Sequence, residues 1–237
     1  MRFAEVFKHL GQSVALVNPA TRHGKTPVAD EKKYLRAFLT GTRESLTASF
    51  AKALSSRVQS AFLHSDFYRK SQAPAAIVLY SALANEVSAD DILSDALAAG
   101  RSVFFPRLDR ARDVLSLCKV ESRSDLAPGA YGILEPQTPA IDIRSLPPCV
   151  VVVPGVAFTI LGERMGRGGG HYDRLLAEIP PHAITVGLAY SFQLLDNVPQ
   201  SGWDRRLNFV VTESAIYPAP DTVWRESGIR AQGGNPR

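Results

Sequence analysis

Residues 150–176 read VVVVPGVAFTILGERMGRGGGHYDRLL, and the order of their chemistry sets the fold. Val150–Pro154 is a β-branched run ended by proline, as in a strand buried on both faces of a sheet. Asp173–Ile179 reads as a helix, closed by Pro180-Pro181. Between them lie Gly162, Gly166, Gly168, Gly169 and Gly170. A buried strand that passes through a glycine loop into a helix belongs to a layered α/β protein.

Working outward, the same alternation recurs. Ala75–Tyr80 (AAIVLY) is a second buried strand, and Ala89–Ala99 a helix that stops at Gly100. Ser102–Pro106, Val114–Val120, Ile184–Tyr190 and Phe209–Thr212 read as further strands. Residues 31–64 carry apolar side chains at helical spacing, with a break near Gly41, Asp30 capping the first helix and Thr47 the second. The expected architecture is three-layer α/β/α, single-domain and Rossmann-like, with a mostly parallel mixed sheet. Right-handed crossovers would place helices on both faces. Residues 1–30 read as a short accessory helix and linker, 31–217 as the domain, and the segment from Pro218 as a mobile tail. Ligands in such sheets gather at the carboxyl ends of the strands. The loops after Tyr80, Pro106, Pro154 and Tyr190 are therefore where chemistry is sought.

Composition narrows the function classes. The 237 residues are 45% hydrophobic and 21% charged, ordinary for a globular chain and wrong for a disordered or collagen-like one. No apolar run approaches the ~20 residues of a membrane-spanning helix, and the first residues lack a secretory core. Two cysteines, Cys118 and Cys149, exclude a disulfide scaffold and suit a reducing cytosol. Cys118 reads as a core residue, and Cys149 has no neighbouring base that would make it a nucleophile. His23, His64 and His182 read as isolated surface residues. A net charge of +4 permits nucleic acid but fits a phosphate-bearing small molecule equally well.

The glycine loop carries the chemistry. Successive N–H groups in such a loop form an anion nest, and the helix that follows adds positive potential. Arg164 and Arg167 bring planar donor forks suited to phosphate. His171 stands in the loop and could touch phosphate. Asp173 could hold Mg2+ among phosphates. The loop is neither a Walker A sequence nor a G-x-G-x-x-G fingerprint. A plain surface loop, or an RGG-like RNA-binding stretch, is the alternative; the strand–loop–helix setting favours phosphate.

PGVAF…G-x-R-x-G-R-G-G-G-x-Y-D-R resembles the signature loop of the 5-formyltetrahydrofolate cyclo-ligase (5,10-methenyltetrahydrofolate synthetase) family. Lys32 to Arg36 is similar to that family's N-terminal K-x-x-x-R helix, and Tyr80 through Glu86-Val87 to its Y…E-V segment. Gly129–Pro136 (GAYGILEP) is similar to its G-x-[FY]-G-I-x-E-P turn, and Val186–Tyr190, Val198-Pro199 and Asp204 to its closing stretch. The match runs over roughly residues 30–217, with five pieces in the family's order.

The resemblance implies a cytoplasmic enzyme that uses Mg-ATP and a reduced folate, with no membrane and no nucleic acid, and a monomer favoured. The formyl oxygen of 5-formyltetrahydrofolate is phosphorylated, N10 attacks the activated carbon, and phosphate leaves. It implies ATP contacts from Lys32, Arg36, Arg164, Gly166, Arg167, Gly168, Gly169, Gly170, His171 and Tyr172, with Arg167 and Tyr172 the candidate catalytic pair. Substrate contacts would come from Ser81, Glu86 and residues 167–171, and Mg2+ ligands from Asp173 and Asp204. Glu86 would meet the pterin, or alternatively cap the helix near Ala89. Glu135 would order its loop by accepting backbone donors. Three positions depart from the family pattern: Thr159 and Asn208 stand where Asp is common, and His171 where Tyr is common. They bear on efficiency and substrate identity. The competing reading is a nucleotide- or nucleic-acid-binding module of the same fold without the activity.

Overall fold

The computed structural model describes residues 28–69, 75–83, 85–199, 205–220 and 222. The expected accessory helix, most of the linker, His23, Asp204 and most of the tail lie outside the described residues. In chain order the helices are α1 (Val28–Glu44), α2 (Ala48–Leu63), α3 (Asp66–Arg69), α4 (Asp90–Ala98) and α5 (His171–Glu178). The strands are β1 (Ala76–Val78), β2 (Ser102–Asp109), β3 (Val114–Val120), β4 (Leu126–Pro128), β5 (Leu134–Pro136), β6 (Ala140–Ile141), β7 (Cys149–Val153), β8 (Ala157–Phe158), β9 (Arg164–Met165), β10 (Ile184–Leu188), β11 (Phe209–Val211) and β12 (Ile216–Pro218).

Eight strands form one sheet in the order β12-β11-β10-β7-β1-β2-β3-β6. The five from β11 to β2 are mutually parallel, and β12, β3 and β6 add antiparallel edges. The period-two alternation of side chains divides the core. Ile77, Val103, Val150, Val152, Val186 and Val211 face α2 and α4, through Leu54, Val58, Phe62, Ile92 and Leu93. Val78, Phe104, Val151, Val153 and Val210 face the opposite way, against Leu175 and Leu176 of α5. Helices therefore cover both faces of a mostly parallel sheet, as the sequence led us to expect. No helix among the described residues is long and apolar enough to cross a membrane.

Four local expectations need correction. The α1 helix runs unbroken through Gly41 to Glu44; nothing crowds that glycine, and the break falls at residues 45–47 instead. Asp30 sits inside the first turn rather than at the cap, where its charge still favours the helix dipole. The helix already occupies residues 28–30, assigned above to the linker. At the other end Pro218 belongs to β12, and Ala219 is buried with its N–H on the Asn208 carbonyl, so the ordered chain outruns residue 217. Thr47 does cap α2, accepting from Phe50 N at 3.4 Å. Gly100 closes α4 with φ +71°.

A third, smaller cluster positions the glycine loop. Leu35 and Leu39 of α1 pack on Val156, Ala157, Met165 and Val198. The residues between β7 and the glycines thus form a hairpin, β8–β9, laid against α1. At its turn Gly162 has φ +82°, and a Cβ there would come within 2.2 Å of the Leu207 carbonyl oxygen. Both cysteines are free and buried. Burial pushes the Cys149 thiol up to about 12, which fits a core residue rather than a nucleophile.

Candidate active site

A cavity of about 690 Å3 opens at the carboxyl ends of β1, β2 and β7, a volume typical of small-molecule sites. Lys32, Arg36, Ser81, Glu86, Arg164, Gly166 to Gly170, His171, Tyr172 and Asp173 all line it. Every described residue of the expected site is thus brought to one place. The loop after Tyr190, the last of the four singled out, reaches it through Pro199. Tyr190 is buried, its hydroxyl donating to the Ala51 carbonyl at 3.3 Å.

The phosphate side is built by α1 and the hairpin together. Arg36 donates from Nε to the Gly166 carbonyl at 2.9 Å. Gly168 holds φ +108° beside the Arg36 guanidinium, a backbone conformation in which any side chain would be strained. Arg164 is fixed by the β8–β9 pairing and is almost wholly buried. Its Nη1 donates to the Pro154 carbonyl at 3.4 Å, Nη2 pairs with Asp173 Oδ1, and the guanidinium lies 6.0 Å from the Tyr172 ring centre. Its Nε is buried without a partner. Burial, reinforced by Glu86, holds the Tyr172 phenol well above its ordinary range. The hydroxyl is therefore a donor at working pH and not a base.

The opposite side centres on Glu86. Its Oε1 accepts from Arg43 Nη1 at 3.1 Å and Arg167 Nη2 at 2.8 Å, and its Oε2 from Leu83 N at 3.0 Å. Helix α4 is preceded by Ala89 with no side-chain cap, so Glu86 does not cap it. Ser81 Oγ donates to the Leu134 carbonyl at 2.5 Å. Glu135 accepts from Leu108 N at 3.2 Å, the loop-ordering role expected of it. Pro106, Leu108 and Leu115 from β2 and β3, with Ile133, add an apolar wall. Sequence reading did not single out these four residues, because a strand's side chains reveal their cavity only once the strand's partners are known. It also missed Arg43. Lys32, Arg36 and Arg43 fall at intervals of four and seven, on one helix face, but that spacing does not tell a buried cation from an exposed one.

His171 lines the cavity, with Nε2 2.9 Å from Asp113 Oδ1. Arg174 reaches Asp113 Oδ2 at 3.1 Å. The β2–β3 turn is thereby clasped to the start of α5. The hydrogen bond from His171 holds the Asp113 carboxyl below its ordinary range. Of the two other departures, Thr159 is wholly buried in the hairpin turn. Its Oγ1 accepts from Leu161 N and Glu163 N at 3.3 and 3.2 Å. Asn208 Oδ1 accepts from Thr185 N and Thr185 Oγ1 at 2.8 and 2.9 Å, tying β10 to β11. Neither residue lines the cavity; both serve backbone geometry.

Magnesium takes oxygen ligands and usually reaches a protein with one or two carboxylates and substrate phosphates. Asp173 fits that share: its side chain is 23% exposed, it lines the cavity, and Arg164 orients it. Among the described residues no group of three or more His, Cys, Asp or Glu could hold a metal by itself, so an ion there would need the nucleotide.

Arg167 is about half exposed and reaches Glu86 from the glycine loop. If Arg167 serves the phosphates as the resemblance implies, replacing it with Ala removes a charge-assisted contact worth ~1.5–3 kcal/mol. Calorimetric titration should then show the Mg-ATP dissociation constant raised tenfold or more. An unchanged constant would remove Arg167 from the phosphate set.

Comparison with known proteins points one way. The family model described as the 5-formyltetrahydrofolate cyclo-ligase family matches residues 28–213. The Escherichia coli K12 5-formyltetrahydrofolate cyclo-ligase is 30% identical over 148 residues, covering 60% of this chain and 79% of that one. A probable 5-formyltetrahydrofolate cyclo-ligase of Caenorhabditis elegans is 25% identical, covering 78% and 94%. Among solved structures, the Aquifex aeolicus 5,10-methenyltetrahydrofolate synthetase superposes with a TM-score of 0.68 at 29% identity, covering 82% and 95%.

Proposed function

The chain belongs to the 5-formyltetrahydrofolate cyclo-ligase family, and on that footing we propose that it converts 5-formyltetrahydrofolate to 5,10-methenyltetrahydrofolate with Mg-ATP in the cavity described above. One observation carries the reading. A basic glycine cradle, the Glu86 carboxylate and an apolar wall line a single cavity. A triphosphate fits the cradle, and a flat, N–H-bearing ring the carboxylate and wall.

An amide-like formyl oxygen is a poor leaving group. Its attack on the γ-phosphorus releases ADP and turns it into a good one. The N10 lone pair then attacks the formyl carbon, N10 gives up its proton, and phosphate departs with the former formyl oxygen. Such phosphoryl transfer needs positioning and charge neutralisation more than covalent help from the protein. Lys32, Arg36 and Arg167 supply positive charge around the phosphates, and the loop N–H groups supply fixed donors. Tyr172, held protonated, donates to a phosphate oxygen. Asp173, with Asp204 from beyond the described residues, would hold Mg2+, which would neutralise phosphate charge. Arg164 orients Asp173. Glu86 accepts from the ring N–H groups of the pterin, which lies along Pro106, Leu108 and Leu115. The carboxylates Glu86 and Asp173 in the same cavity argue against nucleic acid as ligand, since they would repel its backbone.

Incubation of the purified protein with 5-formyltetrahydrofolate and Mg-ATP should produce the methenyl chromophore and ADP in equal amounts. Saturable ATP binding with no chromophore would overturn the proposal in favour of a nucleotide-binding module.

A further inference from the structure

We propose that Arg43 is a positioning residue that fixes the Glu86 carboxylate for the folate ring. The inference rests on the proposed role of Glu86.

Arg43 lies in the last turn of α1 with its side chain only 3% exposed. A guanidinium stays charged at any working pH, and burying it is costly unless a carboxylate compensates. Glu86 is that carboxylate, at 3.1 Å. The match is incomplete, because Arg43 Nε is buried with no partner. A buried ion pair with one donor unmatched is a weak device for stability alone. What it does provide is a rigid charge beside Glu86.

The contact runs both ways. Asn85, at φ +57°, donates from Nδ2 to the Arg43 carbonyl at 3.2 Å and the Leu46 carbonyl at 3.0 Å. Glu86 N donates to the Leu83 carbonyl at 2.8 Å, and Glu86 Oε2 accepts from Leu83 N. Leu83 and Glu86 are therefore bonded to each other, and Asn85 and Glu86 are fastened to the end of α1. Arg167 shares the same Oε1 but is 53% exposed, and the proposed reaction takes it to the phosphates. Arg43 is the cation that remains. One helix then serves both substrates: Lys32 and Arg36 lie toward the nucleotide, and Arg43, about 10 Å beyond Arg36 along the axis, lies behind the Glu86 carboxylate.

The test compares Arg43→Met, Arg43→Lys, Glu86→Gln and the Arg43→Met/Glu86→Gln double variant in the whole protein. It measures melting temperature, Mg-ATP affinity, folate KM and kcat. Arg43→Met should raise the folate KM about tenfold or more, with kcat and ATP affinity within about threefold. Arg43→Lys, which keeps the charge but not the fork, should recover part of that loss. The double variant should be little worse than Glu86→Gln alone, since both changes break one unit. A lower melting temperature with folate KM unchanged in Arg43→Met would show a purely structural role and overturn the proposal. Additive losses in the double variant would do the same. Should Arg43→Met fail to fold, an unchanged folate KM in Arg43→Lys overturns it. If Glu86→Gln itself leaves the folate KM unchanged, the assignment of Glu86 fails and takes this inference with it. A folate defect in Glu86→Gln but in neither Arg43 variant removes this inference only.

Discussion

Asp173→Asn is expected to lower turnover by about a hundredfold or more, the scale on which lost charge stabilisation of a transferring phosphoryl group is felt, while leaving the protein folded. The asparagine keeps an oxygen acceptor for Arg164 but surrenders the charge that an Mg2+ ligand needs. Asp173→Ala should be equally inactive and also less stable. It would strand Arg164, whose side chain is 4% exposed and whose Nε already lacks a partner. Breaking a buried ion pair by removing one partner costs ~3–5 kcal/mol. Asp173 is 23% exposed, so water softens the loss to about 2–3 kcal/mol. That is a fall in Tm of roughly 5–10 °C for a chain of this size. From sequence alone the loss of a loop carboxylate carries no stability cost; the Arg164 pairing reverses that expectation. Kinetics over a magnesium titration and a thermal melt on both variants check it. Near-normal turnover in Asp173→Asn would place the metal elsewhere, whereas an Asp173→Ala variant that melts with the parent would mean that Arg164 does not depend on this carboxylate.

The sheet was legible because its strands are unambiguous chemically. Val150–Val153 and Ala76–Val78 are apolar on both faces, as only central parallel strands are, and they lie side by side in register. The hairpin β8–β9 was not legible. Its strands are two residues each, too short to show any period, and they are held by α1 rather than by their own sequence. The same limit governs the site. Residues close in sequence, such as Arg164 to Asp173, announce a phosphate loop through glycine and charge. Contacts made across the chain, such as Asp113 with His171 or Arg43 with Glu86, leave no local trace. Arg43 in particular reads as one more exposed helical cation, and only the fold shows it buried. Thr159 and Asn208 mislead in the opposite sense. Their side chains look like altered site residues but are spent on turns and strand ends, so neither departure changes the lining of the cavity.

Glu86→Gln separates folate chemistry from generic nucleotide use. As a carboxylate, Glu86 offers two acceptor oxygens; Oε1 already serves Arg43 and Arg167, and Oε2 serves Leu83 N. Glutamine keeps the shape, halves the acceptors and turns two donors toward groups that are themselves donors. One charged hydrogen bond lost in a mostly buried pocket costs ~1.5–3 kcal/mol, and polar groups left unpaired add to that. The apparent folate affinity should therefore fall tenfold or more. ATP binding, measured without folate, should hardly change, because Lys32, Arg36 and the loop backbone are untouched and Arg167, released from Oε1, keeps its charge for the phosphates. A modest drop in melting temperature should accompany it, since Arg43 loses its carboxylate inside the core. The helix-cap alternative would give that drop with normal folate kinetics, but the structure supplies no cap bond at α4 for it to act through. Glu86→Asp sharpens the comparison. It keeps the charge on a stem one methylene shorter, and should keep part of the folate affinity if charge is what the ring reads. Equal loss of both ligands in Glu86→Gln would mean that the whole cavity had collapsed, and folate kinetics unchanged beside a lower Tm would leave Glu86 as nothing more than the counter-ion of Arg43.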